Sequence, residues 1–334
     1  SHGFCARAES DPEFDRQCFS ATGDSFDPDI VSAANQPMLC GRSAGEYRAY
    51  LPRARWIRDA NDSYFAAMTY PQGLPTSQQP SDIHDATWGV LSAVYGGAGE
   101  PYNKIAGLGF AAGVDDAALA RLEALYDARQ AEIRVEQATL ADPAVAALLT
   151  RRGYELIGYE NVLGLALAAT LIDEMTRARD DAAQRGIAIT RAGRDQLPLW
   201  IETAIDGFLA PDTFDGPPPT ETFDRETLRA VYADYGTGDG TALYFAHRDG
   251  EVAGVAYARL ADGLLQLAGA TTLPAHRRRG VQSALLQARL VDAATAGCDL
   301  AVVTVEPASK SQQNVQRAGF ELLYPRAVLV RRAR

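Results

Sequence analysis

The sequence predicts an α+β fold: a mixed, mostly antiparallel sheet flanked by helices, built as two similar units in tandem. Three observations predict it. Asp–Gly turns at Arg248–Asp249–Gly250–Glu251 and Ala261–Asp262–Gly263 separate strand patterns, which reads as an antiparallel meander over 242–273. A strand–turn–helix–strand run from Leu264 to Val305 reads as one parallel crossover. A short internal repeat links the two halves of the chain.

Residues 1–45 are rich in Asp, Ser, Gly and Ala with little periodicity, and read as an irregular segment. A first unit, 46–172, alternates strands (Arg55–Ile57, Tyr64–Met68, Ile105–Phe110, Glu132–Gln137, Tyr154–Leu165) with helices over Ile83–Val94, Ala117–Gln130 and Pro143–Arg152. Leu119, Leu122, Leu125 and Tyr126 recur at helical spacing. Pro143 stands early in its helix, where a missing N–H does no harm. A second unit, 173–334, opens with a polar helix over Asp173–Gln184 and a strand over Ile187–Thr190. Helices at Leu197–Leu209 and Arg225–Tyr235 flank a Pro/Gly loop. The meander follows, with strands Ala242–His247, Val252–Leu260 and Leu264–Leu273. A helix over Ser283–Ala296, a strand over Asp299–Val305, a helix over Ser309–Arg317 and a strand over Phe320–Val330 complete the chain.

The repeat sets Arg151–Arg152–Gly153–Tyr154–Glu155–Leu156–Ile157 against Arg317–Ala318–Gly319–Phe320–Glu321–Leu322–Leu323. Extended without a gap, it pairs Val162 and Leu163 with Val328 and Leu329, giving six identities in thirteen columns. Chance would give roughly one or two at ordinary residue frequencies. Gly113–Val114 falls opposite Gly280–Val281 before a helix in each half. The competing reading is two unrelated segments that share a Gly–aromatic turn.

With 334 residues, 47% of them hydrophobic and 22% charged, the chain suits a soluble two-domain protein. Its net charge of −11 argues against nucleic-acid binding. No apolar run has the length of a membrane span, and the first ten residues lack an apolar signal core, so a cytoplasmic location is expected. The four cysteines and four histidines show no metal-ligand spacing, so no metal is expected. Self-association into a homodimer is compatible with the sequence.

Against this acidic background, Arg277–Arg278–Arg279–Gly280–Val281–Gln282–Ser283–Ala284 is a local cationic turn between a strand and a helix. A helix start offers N–H groups that point one way, and the helix dipole adds positive potential. Three arginines and a glycine that admits close backbone approach complete a site for a polyanion such as a pyrophosphate. A basic surface turn that binds nothing is the alternative. In the first half, Ala111 and Ala112 stand where Arg278 and Arg279 are, and Asp115 and Asp116 where Gln282 and Ser283 are. Carboxylates there would repel a pyrophosphate.

The segment Ala242–Val330 resembles the GNAT superfamily of acyl-CoA-dependent N-acetyltransferases, more faintly back to Ile187 and in worn form over Tyr64–Leu165. The resemblance is carried by Arg277-x-x-Gly280-x-Gln282, close to the family's Gln/Arg-x-x-Gly-x-Gly/Ala, and by Ser311-Gln-Gln-Asn314-Val-Gln-Arg-Ala-Gly319-Phe320. It implies a tandem GNAT protein with a degenerate N-terminal copy, acetyl-CoA or another acyl-CoA as donor, and a small-molecule or peptide amine as acceptor. It implies that Ala270, Thr271 and Thr272 border a splayed gap between two strands, where pantetheine pairs as an added strand would. A backbone N–H near Ala270 would then polarise the thioester carbonyl. Ser311 and Asn314 lie on the helix beside the pantetheine arm. Gln282 replaces the last small residue of the loop. Many members carry a Tyr four residues before the Gly of the Gly–Phe turn; here that position is Val315. Tyr324 is the substitute acid and Glu306 the candidate base; a solvated strand-end Glu is the alternative for the latter. A non-catalytic acyl-CoA binder and an acyl-CoA decarboxylase remain as competing functions.

Overall fold

A computed structural model describes residues 92–94, 103–106, 108–109, 116–139, 141–210, 223–235, 240–261 and 263–333. The expected segment 1–45, the strands at 55–57 and 64–68 and the loop residues 111, 112 and 115 lie outside them. The described elements are β1 (Ser92–Val94), β2 (Lys104–Ala106), α1 (Asp116–Asp127), β3 (Ile133–Ala138), α2 (Ala144–Arg151), β4 (Glu155–Ala166) and α3 (Ala169–Gln184). They continue with β5 (Ile187–Arg191), α4 (Leu197–Phe208), α5 (Arg225–Tyr235), β6 (Thr241–Arg248), β7 (Glu251–Ala261) and β8 (Leu264–Thr272). The last are α6 (Val281–Thr295), β9 (Leu300–Val305), α7 (Lys310–Arg317) and β10 (Glu321–Arg331).

The expected mixed sheet is present, flanked by helices. One element is corrected. Of the helix expected over Ile83–Val94, residues 83–91 lie outside the described ones, and its last three residues form a strand instead, because Ser92–Val94 pairs antiparallel with Lys104–Ala106. Tertiary pairing overrides local propensity in so short a segment.

The two hairpins form as the turn chemistry requires. Arg248 pairs with Glu251 across a two-residue loop in which Asp249 and Gly250 have φ of 54° and 87°. Positive φ at both central residues is the geometry that matches strand twist. In the second hairpin Ala261 pairs with Leu264, and Gly263 lies at φ 77°. The repeated Arg-x-Gly-aromatic motif closes α2 and α7 with one device. Gly153 and Gly319 lie at φ 83° and 92°, and the amides of Tyr154 and Phe320 bond to the carbonyls of Leu149 and Val315. A left-handed glycine just past a helix satisfies carbonyls that the helix leaves free.

Among the described residues the strands form one sheet in the order β1-β2-β3-β10-β4-β9-β8-β7-β6-β5. The C-terminal strand β10 lies between β3 and β4, both from the first half of the chain. β4 in turn separates β10 from β9. Outward from the antiparallel β10–β4 pair the order reads alike on both sides. An antiparallel neighbour comes first, then a parallel pair (β2–β3 or β8–β9), then an antiparallel one.

Side-chain alternation assigns the faces. On one face, α6, α3 and Val315 of α7 pack against Ala242, Ala246, Leu265, Leu267, Ala301 and Val303 of the strands. α1 and α2 cover Ile133 and Val135 with their own cluster. On the face opposite α6, α4 and α5 pack on Leu243, Phe245, Val255 and Tyr257.

Charges cross the middle of the sheet in a line whose centre, Glu136 and Arg326, is buried. Arg326 of β10 pairs with Glu160 of β4 and with Glu136 of β3, each at 2.6 Å, and Lys104 of β2 reaches Glu136 at 2.7 Å. Burial pushes the Glu160 carboxyl up, but Arg326 and Lys104 outweigh it and hold the group below the usual carboxylate range. Arg326 is 3% exposed, so truncating it deprives two carboxylates of the cation they share. Arg326→Ala is expected to destabilise the protein by about 3–5 kcal/mol in urea unfolding. A depressed carboxyl contributes stability above its unfolded value and loses it as pH falls through the folded one. The difference between wild type and variant therefore narrows below about pH 4, which unfolding curves taken from neutral to acid pH would show.

Candidate functional site

The parallel β8–β9 ladder is short. It joins Leu264–Leu267 to Leu300–Val303 and stops, although β8 runs on to Thr272 and β9 to Val305. A bulge sits at the point of parting: Tyr257 pairs with Ala268, and Val255 with Thr271, so β8 holds one extra residue. Gly269 takes φ of 50° within it. Bulges bend and re-aim a strand, and here the bend carries Ala268–Thr272 away from β9. Beyond Leu267 and Val303 no ladder pair joins the two strands, which leaves a gap along the stretch of β8 that holds Ala270, Thr271 and Thr272.

Glycines let other backbone crowd this wall. A Cβ on Gly254 of β7 would overlap the Thr271 carbonyl, and one on Gly207 of α4 would overlap the Thr271 side chain. The end of α4 thus lies directly on the open end of β8.

After β8 the chain turns through Pro274–His276 and enters the basic turn. Arg278 (φ 57°) and Gly280 (φ 87°) both take the left-handed conformation. For Arg278 this conformation is uncommon. Gly280 caps α6 and its carbonyl accepts the first helical bond, from the Ala284 amide, at 3.0 Å. The first turn of α6 holds no acidic residue, so nothing on that turn opposes an anion at the positive end of the helix.

The predicted residues divide by environment. Arg278, Arg279, Gly280 and Ser283 are exposed. Val281 and Ala284 are each 1% exposed and point into the core, which leaves only their backbone to face a ligand. Thr272 reaches Gln282 through a long hydroxyl–amide contact of 3.4 Å, so Gln282 ties the first turn of α6 to the gap wall. Arg277 behaves differently from its neighbours. Its Nε donates to the Thr272 carbonyl at 3.0 Å, and its Nη2 donates to the carbonyls of Gly207, at 3.3 Å, and Ala210.

On α7, Ser311 is exposed, and Asn314 is half-buried and accepts from Arg317 at 3.2 Å. The turn before α7 is held from the first half of the chain. Gln312 Oε1 accepts from Asn161 of β4 at 3.2 Å and from the Ala308 amide at 2.8 Å. Glu306 follows β9, half-buried, with its carbonyl bonded to the Ser309 amide.

Tyr324 does not join this group. It is 1% exposed in an apolar cluster with Ala138, Val162, Leu264, Leu300 and Val302. It pairs with Val162, which pairs with Thr304, so a whole strand separates it from β9. Two strand spacings are about 9–10 Å. The reason is topological: β4 occupies the place beside β9. Sequence reasoning also missed Gly207, Asn161 and the engagement of Arg277. A glycine late in an otherwise regular helix was the one local signal.

Among the described residues no group of three His, Cys, Asp or Glu could hold a metal, and no helix is long and apolar enough to cross a membrane.

The sequence pattern of the acetyltransferase (GNAT) family matches residues 209–320. Comparison with curated proteins finds no match. Among solved structures, a conserved protein from Staphylococcus epidermidis described as functionally unknown aligns at a TM-score of 0.49 and 10% identity, covering 70% of this chain and 86% of that one. A GCN5-related N-acetyltransferase from Kribbella flavida aligns at 0.49 and 18% identity, covering 71% and 84%. A tandem GNAT protein from the clavulanic acid biosynthesis pathway aligns at 0.46 and 14% identity, covering 65% and 69%. The matched stretch takes in β6 to β9, the gap and the basic turn, and the chain therefore contains a GNAT-family acetyltransferase domain at residues 209–320.

Proposed function

We propose that the protein transfers an acetyl group from acetyl-CoA directly to the amine of a small molecule or of a peptide amino terminus. The observation that carries this is the combination of an open β8 edge with an unopposed helix start at its end. The site's chemistry fits a nucleotide thioester. Backbone N–H groups of Val281–Ser283 and the exposed Arg278 and Arg279 suit a diphosphate. The free edge of β8 suits the amides of an extended arm. When bound, acyl-CoA supplies the activated thioester. The chain's own part is to align that arm along β8, to turn a backbone N–H near Ala270 toward the carbonyl oxygen, and to take a proton from the amine as its C–N bond replaces the C–S bond, the CoA thiolate leaving with a proton from solvent. Glu306, at the β9 side of the gap, is the candidate for that last role.

The chain also reads as two GNAT-like copies, 46–172 and 173–334, that have exchanged their last strands. Support comes from the matching strand order on either side of β10–β4 and from the shared Gly–aromatic turns. In the first copy, a carboxylate at the described start of the corresponding helix would oppose an anion there. That helix, α1, opens on Asp116, which is held by Arg152 at 2.9 Å.

A second reading is a non-catalytic acyl-CoA binder. Val315, where many family members carry a Tyr, is 8% exposed in the core and offers no proton. The two readings part on turnover. Acetyl-CoA with a panel of amines and a thiol-reactive dye should release thiol; saturable CoA binding without release from any amine would favour the binder.

The turn is tested by two substitutions. Gly280→Asp adds a negative charge where the anion sits, and calorimetry should show CoA binding weakened by about tenfold or more. Gly280→Ala adds no charge but strains the left-handed backbone, so urea unfolding should show a loss of about 1–2 kcal/mol. Unchanged CoA affinity in Gly280→Asp would place the nucleotide elsewhere.

A further inference from the structure

We propose that Arg277 is a positioning residue that fastens the end of α4 to the open end of β8 and to the basic turn, rather than an anion ligand of that turn. Its neighbours Arg278 and Arg279 are exposed, whereas Arg277 is half-buried. Its guanidinium donates to carbonyls from two elements at once. Thr272 ends β8, while Gly207 and Ala210 belong to the C-terminal turn of α4 and the residues just after it. The last carbonyls of a helix have no intrahelical partner and form the negative end of its dipole. A guanidinium fork satisfies several of them together in a way that a lysine ammonium does not.

The same joint is built from the α4 side. Gly207 has no Cβ, and one would overlap Thr271. α4 can therefore approach the gap wall closely enough for its carbonyls to reach Arg277. α4 and α6 lie on opposite faces of the sheet. A group threaded through the gap from the α6 side would emerge against α4. Arg277 thus links the turn where an anion would bind to the helix that the transferred group would meet. That consequence rests on the proposed function; the joint itself does not.

The test follows amide hydrogen exchange in the ligand-free protein. Arg277→Ala should raise exchange at 205–209 and 270–273 together, by about ten- to hundredfold. Arg277→Lys keeps the charge but lacks the fork, so it should resemble the Ala variant in exchange. Arg279→Ala should leave exchange at 205–209 unchanged. Gly207→Ala disturbs the joint without touching the turn, and should raise exchange at 270–273 even where Arg277→Ala proves too unstable to handle. Wild-type protection at 205–209 in Arg277→Ala, or its restoration by Lys, would overturn the proposal. With a productive amine in hand, kcat of Arg277→Ala should fall by up to about a hundredfold through misalignment. Its CoA affinity should lose less than that of Arg279→Ala. Failure of wild type to bind CoA at all would sink the proposed function while the exchange measurements still decide the role of Arg277.

Discussion

The antiparallel pairing of β10 with β4 is the constraint on which the rest of the sheet depends. The last strand of the chain lies inside the sheet, flanked on both sides by strands from the first half. Neither half can therefore complete its own sheet from its own sequence. Long-range pairing of this kind carries a high cost in loop closure, which must be met by burial and by hydrogen bonds formed late. The line of Lys104, Glu136, Arg326 and Glu160 crosses this junction. A buried ion pair is weak as net stabilisation, but it is intolerant of a wrong register, because a shift leaves a charge unpaired.

The same strand order sets what stands beside the gap. β9 has β4 as its outer neighbour, so Asn161 from the first half holds the turn that precedes α7. It also moves β10, and Tyr324 with it, one strand further away. The gap is thus a composite. Its bulged wall, its basic turn and the end of α4 come from the second half, while one of its supports comes from the first.

Three backbone features shape the opening itself. The bulge with Gly269 bends β8 off its parallel partner. Gly254 and Gly207 allow a strand and a helix to crowd Thr271. Gly280 turns the chain into α6, whose first turn has no side-chain cap and no acidic residue. Side chains refine this scaffold rather than create it, as Gln282 and Arg277 do by bridging neighbouring elements. A polyanion site made largely of backbone needs little from side chains beyond the absence of competing carboxylates.

The sequence by itself determined the local elements of the second half, the two Asp–Gly hairpins and the cationic turn, since each follows from residue periodicity or from a glycine's conformational freedom. Gly280, Gly250 and Gly319 sit at positive φ, as their turn positions suggest. Only the tertiary structure decided which strands are neighbours, and with that the place of Tyr324, the support from Asn161 and the attachment of Arg277 to α4. Those depend on contacts between residues tens to more than a hundred positions apart, and the alternation along a strand says which side is buried but not which strand lies next to it.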